Sequence, residues 1–327
     1  LWNMQFVQGA YYRERATRQS TRPVTVSAAR GLVYDRHGTP LVRNIPSFDV
    51  VIVPAYLPDD DEQAEDVLIR LAVLLGMPYT SPEAGEGEDE APRGVREIVA
   101  EAGFTYRPVM IKRGVDRDTA LLVAQQTLVL PGVSVEVESV RDYPFGLLVS
   151  QILGYNLPIP EEDEEAYVAL GYDPSIDRIG RAGIEATYED YLRGQKGQQI
   201  VEEDVLGRVI RVVAELAEPV PGDNVHLTLD LELQRFAEET LRRGMEKPNV
   251  NSPRGVAIVM NPQTGEILAM VSLPTYDNNL FTQGISALDW DRLANNPHRP
   301  LLNHAISDLL PPGSTFKIVV AAGALQE

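Results

Sequence analysis

Apolar and polar positions along the chain follow two different periods, which predicts a mixture of α-helices and β-strands. Val67, Leu68, Leu71 and Leu75 recur at helical spacing and predict an amphipathic helix over 59–75. Alternation over 133–137 predicts a strand. The same patterns predict helices over 1–18, 116–126 and 187–192, a short helix between 144 and 153, and strands over 24–26, 32–34, 41–42, 47–53, 106–111, 200–203 and 209–213. Asp116 is a favoured N-cap for the second of these helices, and the turn chemistry of 35–38 joins strands 32–34 and 41–42 into a predicted hairpin over 30–42.

The character of the sequence changes at Glu218-Pro219-Val220-Pro221-Gly222, because two prolines and a glycine favour a turn or linker. We therefore predict domains over 1–217 and 218–327, with few contacts between them. The second domain is predicted to contain a strand over 225–229, a helix over 231–245 and a hairpin joining 255–260 to 266–272. This order predicts an α+β fold with helices packed on an antiparallel sheet.

The composition is that of a globular protein with a strong negative charge. Of 327 residues, 44% are apolar and 24% are charged, and the formal net charge is -19. This charge argues against nucleic acid and against an anionic membrane surface as partners, since both attract basic faces. The acidic loop 80–93 lies inside the first domain and is interpreted as a solvated segment. The chain has no Cys and no EF-hand spacing, so we predict no disulfide, metal or other cofactor.

The N-terminus gives a further expectation. No apolar run of about 18 or more residues occurs, so no segment of the sequence is expected to span a bilayer. The chain begins at Leu1 without an initiator Met. We therefore expect that an upstream signal or membrane anchor has been removed.

The candidate chemistry lies in Ser314 and Lys317, which follow Pro311-Pro312-Gly313. A helix that begins after this turn would place both side chains on one face, three positions apart. Lys317 could then act as the base that activates the Ser314 hydroxyl, and the helix N-terminus would favour an oxyanion. The alternative is structural, since Ser is also a favoured helix N-cap.

Several segments together resemble the class B penicillin-binding proteins, and they occur in the order found in that family. The segments that resemble its N-terminal pedestal are Arg30-Gly31-Leu32-Val33-Tyr34-Asp35-Arg36-His37-Gly38, Arg141-Asp142-Tyr143-Pro144, Gly183-Ile184-Glu185 and Tyr188-Glu189. The segments that resemble its transpeptidase domain are Asn261-Pro262-Gln263-Thr264-Gly265-Glu266-Ile267-Leu268-Ala269-Met270 and the nucleophile motif 311–317. An aromatic first helix that leads straight into the pedestal indicates the elongation type, penicillin-binding protein 2.

The resemblance implies a peptidoglycan D,D-transpeptidase on the extracytoplasmic face of the bacterial cytoplasmic membrane. By this resemblance, Ser314 attacks the D-Ala-D-Ala carbonyl of a stem peptide, Lys317 takes its proton, and β-lactams acylate the same serine. The pedestal would be a non-catalytic, elongated dimerisation-type domain that meets proteins of the cell-elongation complex, including a glycan polymerase. Attachment to the membrane would use the N-terminal anchor that this sequence does not contain.

The sequence departs from the family pattern after the nucleophile motif. The family's Ser-x-Asn and Lys-Thr-Gly motifs should follow Lys317, but the sequence ends at Glu327 and neither occurs earlier. We therefore expect a fragment that ends after the Ser-x-x-Lys helix and is catalytically incomplete. The alternatives are a non-catalytic scaffold or β-lactam sensor, and a serine β-lactamase, whose domain would not need some 200 preceding residues.

Overall fold

A computed structural model describes residues 21–82, 93–126, 129–174, 176–203, 209–248, 252–282, 284–309 and 311–326. The predicted helix 1–18 and residues 83–92 of the acidic loop lie outside the described residues. The α+β fold class is confirmed, with antiparallel pairing in all four sheets and a single parallel pair among the described strands. No helix in the described ranges combines the length and apolar character needed to cross a bilayer.

The bounds of the elements are as follows. The described strands are β1 (Thr21–Val26), β2 (Val33–Tyr34), β3 (Pro40–Ile52), β4 (Val109–Val115), β5 (Val133–Asp142), β6 (Asn156–Pro158), β7 (Arg178–Gly180), β8 (Gly197–Glu203), β9 (Val209–Ala217), β10 (Val225–His226), β11 (Gly255–Met260) and β12 (Ile267–Leu273). The described α-helices are α1 (Asp61–Leu75), α2 (Val95–Ala102), α3 (Arg117–Gln125), α4 (Gly146–Leu153), α5 (Glu164–Ala169), α6 (Gly183–Thr187), α7 (Glu189–Leu192), α8 (Leu231–Met245), α9 (Ala287–Ala294), α10 (His304–Ser307) and α11 (Lys317–Gln326).

Strand β3 is the centre of the largest sheet, and its 13 residues pair with strands on both edges. It pairs antiparallel with β5 from Arg43 to Ile52, and its second half also pairs with β4. Its first half pairs with β2, to which β10 adds in the parallel sense. Strands β1, β8 and β9 form a second antiparallel sheet, and β11 pairs with β12. The hairpin predicted from residues 32–34 and 41–42 is therefore confirmed as the pairing of β2 with β3.

One core lies between the β3 sheet and helices α1, α2 and α3. Val50 and Ile52 of β3 are buried there with Leu71 of α1 and Val95 of α2. The predicted helices α1 and α3 are confirmed. Their first turns are capped by Asp60 and Asp116, whose carboxylates accept backbone N–H groups.

Three details of the predicted elements are wrong. The strand predicted over 106–111 is β4 (Val109–Val115), whose apolar alternation is obscured by Lys112-Arg113-Gly114. Helix α2 is missing from the predicted elements, since its eight residues show only a short apolar pattern. The helix predicted over 187–192 is two short helices, because the backbone leaves the helical region at Tyr188, with φ -108° and ψ 23°.

A second core extends across the predicted domain boundary. Leu229 and Leu231, which follow the boundary, pack with residues that precede it, including Val33, Tyr143 and Leu153. The prediction of few contacts between the two parts is therefore wrong, whereas the division at 217/218 itself stays a prediction. Burial of leucine side chains in a shared core stabilises the contact by roughly 1.5–3 kcal/mol each.

The boundary segment resembles a linker in composition but not in structure. Val220 and Gln195 exchange two backbone hydrogen bonds of 2.8 Å, and the Gly222 N–H donates to the Ala29 carbonyl at 2.9 Å. A Cβ at Gly222 would lie 2.0 Å from the Leu192 carbonyl oxygen. The glycine therefore allows close backbone approach to the first part of the chain. Composition alone cannot distinguish such a contact from a flexible connection.

Glu185 joins three family-like segments through a buried ionic cluster. Its side chain is 0% exposed and lies 2.7 Å from Nε of Arg30 and 2.7 Å from Nη2 of Arg141. Arg30 also pairs with Glu189, and Arg141 donates to the Asn44 amide oxygen at 2.8 Å. Burial alone would lower the pKa of Arg30. The carboxylates of Glu185 and Glu189 have the larger effect, so the pKa of Arg30 is raised. The cluster therefore holds β5, α6 and the segment before β2 together.

We expect Glu185→Gln to lower the free energy of unfolding by about 3–5 kcal/mol, because two buried guanidinium groups lose a shared carboxylate. Glu202→Gln is the matched control, since its pair with Arg211 is solvent-exposed and should contribute at most about 1 kcal/mol. Chemical denaturation of both variants measures the difference. Equal, small losses would show that the cluster does not stabilise the fold.

Candidate functional site

Ser314 lies in a single 3₁₀ turn, Gly313–Phe316, which leads directly into helix α11. We expected Ser314 in the first turn of an α-helix, but it lies in the 3₁₀ turn that immediately precedes helix α11. Gly313 has φ +56°, a conformation that glycine adopts without strain. The Thr315 hydroxyl donates to the Pro312 carbonyl and supports this tighter turn.

The structure does not bring Ser314 and Lys317 into contact through their side chains. Within the described residues, no hydrogen bond joins Ser314 Oγ to Lys317 Nζ, and every residue of 311–326 is exposed. The backbone N–H of Lys317 instead lies within reach of the Ser314 carbonyl. A serine hydroxyl without a neighbouring base is a weak nucleophile. The catalytic roles of Ser314 and Lys317 therefore remain a hypothesis.

Helix α11 presents an apolar surface to solvent. Ile318 is 75% exposed and Leu325 is 89% exposed, and Val319, Val320 and Phe316 of the preceding turn are also exposed. The outward side chains of β11, which include Ile258 and Met260, are exposed as well. Apolar areas of this kind normally mark contact sites.

The hairpin β11–β12 and helix α8 form the framework that precedes the Ser314 turn. The hairpin turn at 261–265 is held by Asn261, whose N–H donates to the Glu266 carbonyl at 2.9 Å. Gly265 closes the turn with φ +79°. Helix α8 is capped by Asp230, whose carboxylate accepts the Leu233 N–H at 3.0 Å, and this hydrogen bond is the main cause that lowers the pKa of Asp230. The predicted hairpin and helix are therefore confirmed.

Helix α4 of the first part connects to this framework through side-chain hydrogen bonds. Its backbone leaves the helical region at Val149, with φ -130° and ψ 22°, so nearby carbonyls are available to accept hydrogen bonds. Gln234 of α8 donates to the Leu148 carbonyl at 3.1 Å and to the Met270 carbonyl at 2.9 Å. Its amide oxygen also accepts the Met270 N–H at 2.8 Å. One buried side chain thus connects α4, α8 and β12.

Two further amides complete the connection. Gln151 of α4 donates to the Pro274 carbonyl at 2.8 Å and to the Pro300 carbonyl at 3.0 Å. Asn278 donates in the opposite direction, to the carbonyls of Ser150 and Gly154. These bonds matter because a buried polar group without a partner costs about 1–3 kcal/mol. Side-chain amides of each part of the chain therefore donate hydrogen bonds to backbone carbonyls of the other part.

A buried histidine fixes the segment that leads to the Ser314 turn. His304 Nδ1 lies 2.9 Å from Asp308 Oδ2, and Nε2 lies 3.0 Å from the His298 carbonyl oxygen. The Ser272 hydroxyl accepts the His304 N–H at 2.9 Å and so ties α10 to β12. Both ring nitrogens already have oxygen partners. His304 therefore positions the chain and offers no free nitrogen as a base for Ser314.

The sequence-based candidates did not include the residues that build this framework. Gln234 follows Leu231 at helical spacing, so it lies on the inward face of an amphipathic helix. A polar residue on the inward face of a helix indicates a buried hydrogen-bonding role, so Gln234 could have been identified from the sequence. Nothing in the sequence indicates that Asn278 pairs with α4. Across the described ranges, no group of three or more metal-ligating side chains occurs.

Comparison with known proteins adds independent information on both parts of the chain. Residues 25–227 match the family model described as the penicillin-binding protein dimerisation domain. Residues 255–327 match the model of the penicillin-binding protein transpeptidase domain. The two matches follow the order of the family-like segments in the sequence.

Similar proteins are about twice as long as this chain. The peptidoglycan D,D-transpeptidase MrdA of Escherichia coli (strain K12) is 35% identical over 329 residues, which are 99% of this chain and 48% of that protein. The chain thus spans about half the length of the curated relatives it matches.

Two solved structures share the fold. A complex between a penicillin-binding protein (PBP2) and MreC from Helicobacter pylori matches with a TM-score of 0.69 and 22% identity, over 94% of this chain and 52% of that one. A peptidoglycan synthase complex, described as coordinating polymerization and crosslinking, matches with a TM-score of 0.63 and 29% identity, over 99% of this chain and 52% of that one.

We expect Gln234→Leu to lower the free energy of unfolding by about 2–5 kcal/mol, because Leu148 and Met270 lose buried hydrogen-bond partners. Glu239→Leu, on the exposed face of the same helix, is the matched control and should change the stability by about 0.5 kcal/mol or less. Thermal and denaturant unfolding measure both variants. A Gln234→Leu protein as stable as the control would contradict the proposed role of this connection.

Proposed function

Because the chain belongs to the penicillin-binding proteins that combine a dimerisation domain with a transpeptidase domain, we propose that the full-length protein is a peptidoglycan D,D-transpeptidase. The observation that carries the proposal is the Ser-x-x-Lys sequence at Ser314 and Lys317 within the segment that matches the transpeptidase model. The similarity to MrdA of Escherichia coli supports the same activity.

In the proposed reaction, Ser314 Oγ attacks the penultimate D-Ala carbonyl of a stem peptide while Lys317 takes the hydroxyl proton. The terminal D-Ala leaves as an amine after it has received a proton, and the peptide remains as an ester on Ser314. An amine of a second stem peptide then attacks the ester, which forms the cross-link and frees the serine. A β-lactam would acylate the same serine, because attack on the lactam carbonyl breaks the ring C–N bond, and the protonated nitrogen stays within the opened ester.

The exposure of the Ser314 turn supports the view that catalysis requires a protein as long as the relatives. The chain spans about half of each relative, and α11 leaves Ile318 and Leu325 exposed. A base and an oxyanion hole require preorganised neighbours in a site from which water is excluded. We therefore assign catalysis to the full-length protein.

The proposal extends to location and partners. We place residues 1–217 in a pedestal and 218–327 in the first part of the transpeptidase domain, on the extracytoplasmic face of the cytoplasmic membrane with an N-terminal anchor. The relatives solved with MreC and in a peptidoglycan synthase complex support partners from the cell-elongation machinery, including a glycan polymerase. Stem peptides and β-lactams would be the small ligands.

A non-catalytic scaffold is the second candidate. The observation in its favour is that Ser314 and Lys317 form no hydrogen bond with each other through their side chains in the described part of the chain. A scaffold of this kind would retain partner binding without a reactive serine. Covalent labelling of Ser314 distinguishes the two functions.

We expect a fluorescent penicillin to label the full-length protein covalently and Ser314→Ala to abolish the labelling. Lys317→Ala should slow labelling by about 100-fold or more, since a positioned general base typically contributes at least that much. Ser307→Ala, an exposed serine on α10, is the matched control and should label at the wild-type rate. Gel fluorescence over time gives the rates.

Undiminished labelling of Ser314→Ala would contradict the assignment of the nucleophile. Absence of labelling in the wild-type protein, with native circular dichroism, would favour the scaffold instead. Peptide mapping of the labelled protein identifies the modified residue in either case.

A further inference from the structure

A cavity of about 650 Å³ lies in the first part of the chain, away from the Ser314 turn. It is lined by β5, by the residues that follow β1, and by segments 170–172, 176–178 and 193–196. Its volume is within the roughly 300–1,000 Å³ range of small-molecule sites. Leu170, Tyr172 and Ile176 supply apolar lining beside the charged groups.

The charge of this cavity is opposite to that of the whole chain. Five cationic side chains line it, Arg30, Arg141, Arg178, Arg193 and Lys196, but only two carboxylates, Glu138 and Asp177. The chain as a whole has a formal charge of -19. Glu185 and Glu189 lie behind this lining and pair with Arg30, so five cations face four carboxylates and an excess of one positive charge remains to attract anions.

Three of the five cations are already neutralised by carboxylates. Arg30 and Arg141 share Glu185, Arg30 also pairs with Glu189, and Lys196 pairs with Asp177. These three side chains are therefore engaged in ion pairs within the protein. Arg178 and Arg193 remain as the cationic groups that could bind a ligand.

Arg178 is half-buried and has no carboxylate partner among the residues that the structure describes. Its Nη2 donates to the Phe281 carbonyl at 2.9 Å and to the Asn156 carbonyl at 3.4 Å. These acceptors carry no charge, and they engage only one of the three nitrogens of the guanidinium group. Burial lowers the pKa of Arg178 and the charge of Arg113 lowers it further, whereas the negative charge of Glu138, which also lines the cavity, only partly offsets this effect. A bound anion would relieve this unfavourable environment.

Arg193 supplies a second cation to the same cavity. Its guanidinium group lies 4.6 Å from the centre of the Tyr172 ring, where cation–π attraction orients it. No described carboxylate lies within 4.0 Å of its nitrogens, but the Tyr172 hydroxyl and the charges of Asp190 and Glu189 raise its pKa. Guanidinium groups bind carboxylates and phosphates through paired N–H donors.

We propose that this cavity binds a small anionic molecule, and that Arg178 and Arg193 bind its carboxylate or phosphate group. The apolar side chains would contact the organic part of the ligand. The site is separate from the Ser314 turn, so its occupancy does not depend on the proposed transpeptidase activity.

Isothermal titration calorimetry with succinate and, separately, inorganic phosphate tests the proposal and distinguishes the two chemistries. We expect the wild-type chain to bind at least one of them. Arg178→Gln should weaken that binding by about tenfold or more, which corresponds to the loss of one charge-assisted hydrogen bond. Arg181→Gln is the matched control, because its side chain pairs with Asp163 and does not line the cavity.

Arg193→Gln provides a second variant at an exposed position, so the test remains valid if Arg178→Gln does not fold by circular dichroism. Tighter binding of succinate would assign a carboxylate ligand, and tighter binding of phosphate would assign a phosphate ligand. Absence of binding up to about 10 mM of either anion would overturn the proposal. Equal affinity of the wild-type protein and both cavity variants would overturn it as well.

Discussion

The structure depends on the hydrogen bonds made by the backbone carbonyls of helix α4, which is buried between the two parts of the chain. The helix departs from regular geometry at Val149, and buried carbonyls without partners would cost about 1–3 kcal/mol each. Gln234 and Asn278, both from the second part, donate to these carbonyls, and Gln151 donates in return. Because each part satisfies polar groups of the other, the start of the transpeptidase segment is built onto the preceding part.

This arrangement separates a rigid framework from an exposed site. On one side, the Glu185 cluster joins β5, α6 and the segment before β2 by buried ion pairs. On the other side, His304 ties α10 to β12, a few residues before the Ser314 turn. Beyond that point the residues 311–326 are exposed, so the framework fixes where the Ser314 turn begins but not the environment of the Ser314 hydroxyl.

Local patterns predicted most of the elements, because capping and amphipathicity are properties of short segments. Asp116 signalled a helix start, and the pairing of β2 with β3 followed from two apolar runs around a turn. The relation between the two parts could not be predicted in this way. A Pro- and Gly-rich segment has the same composition whether it is a free linker or, as at Gly222, is packed against Leu192. The Ser314 motif was visible for its chemistry, but its 3₁₀ geometry depends on a backbone conformation that the motif does not encode.

Native-state hydrogen exchange in increasing denaturant tests most directly whether the two parts form one cooperative unit. The amides of α4 and those of β12 should exchange with the same free energy of opening and should merge into one transition as denaturant rises. The Met270 N–H, which donates to Gln234, is the most informative single probe. Exchange of α8 and β12 through a separate opening of lower free energy, while α4 stays protected, would contradict this account.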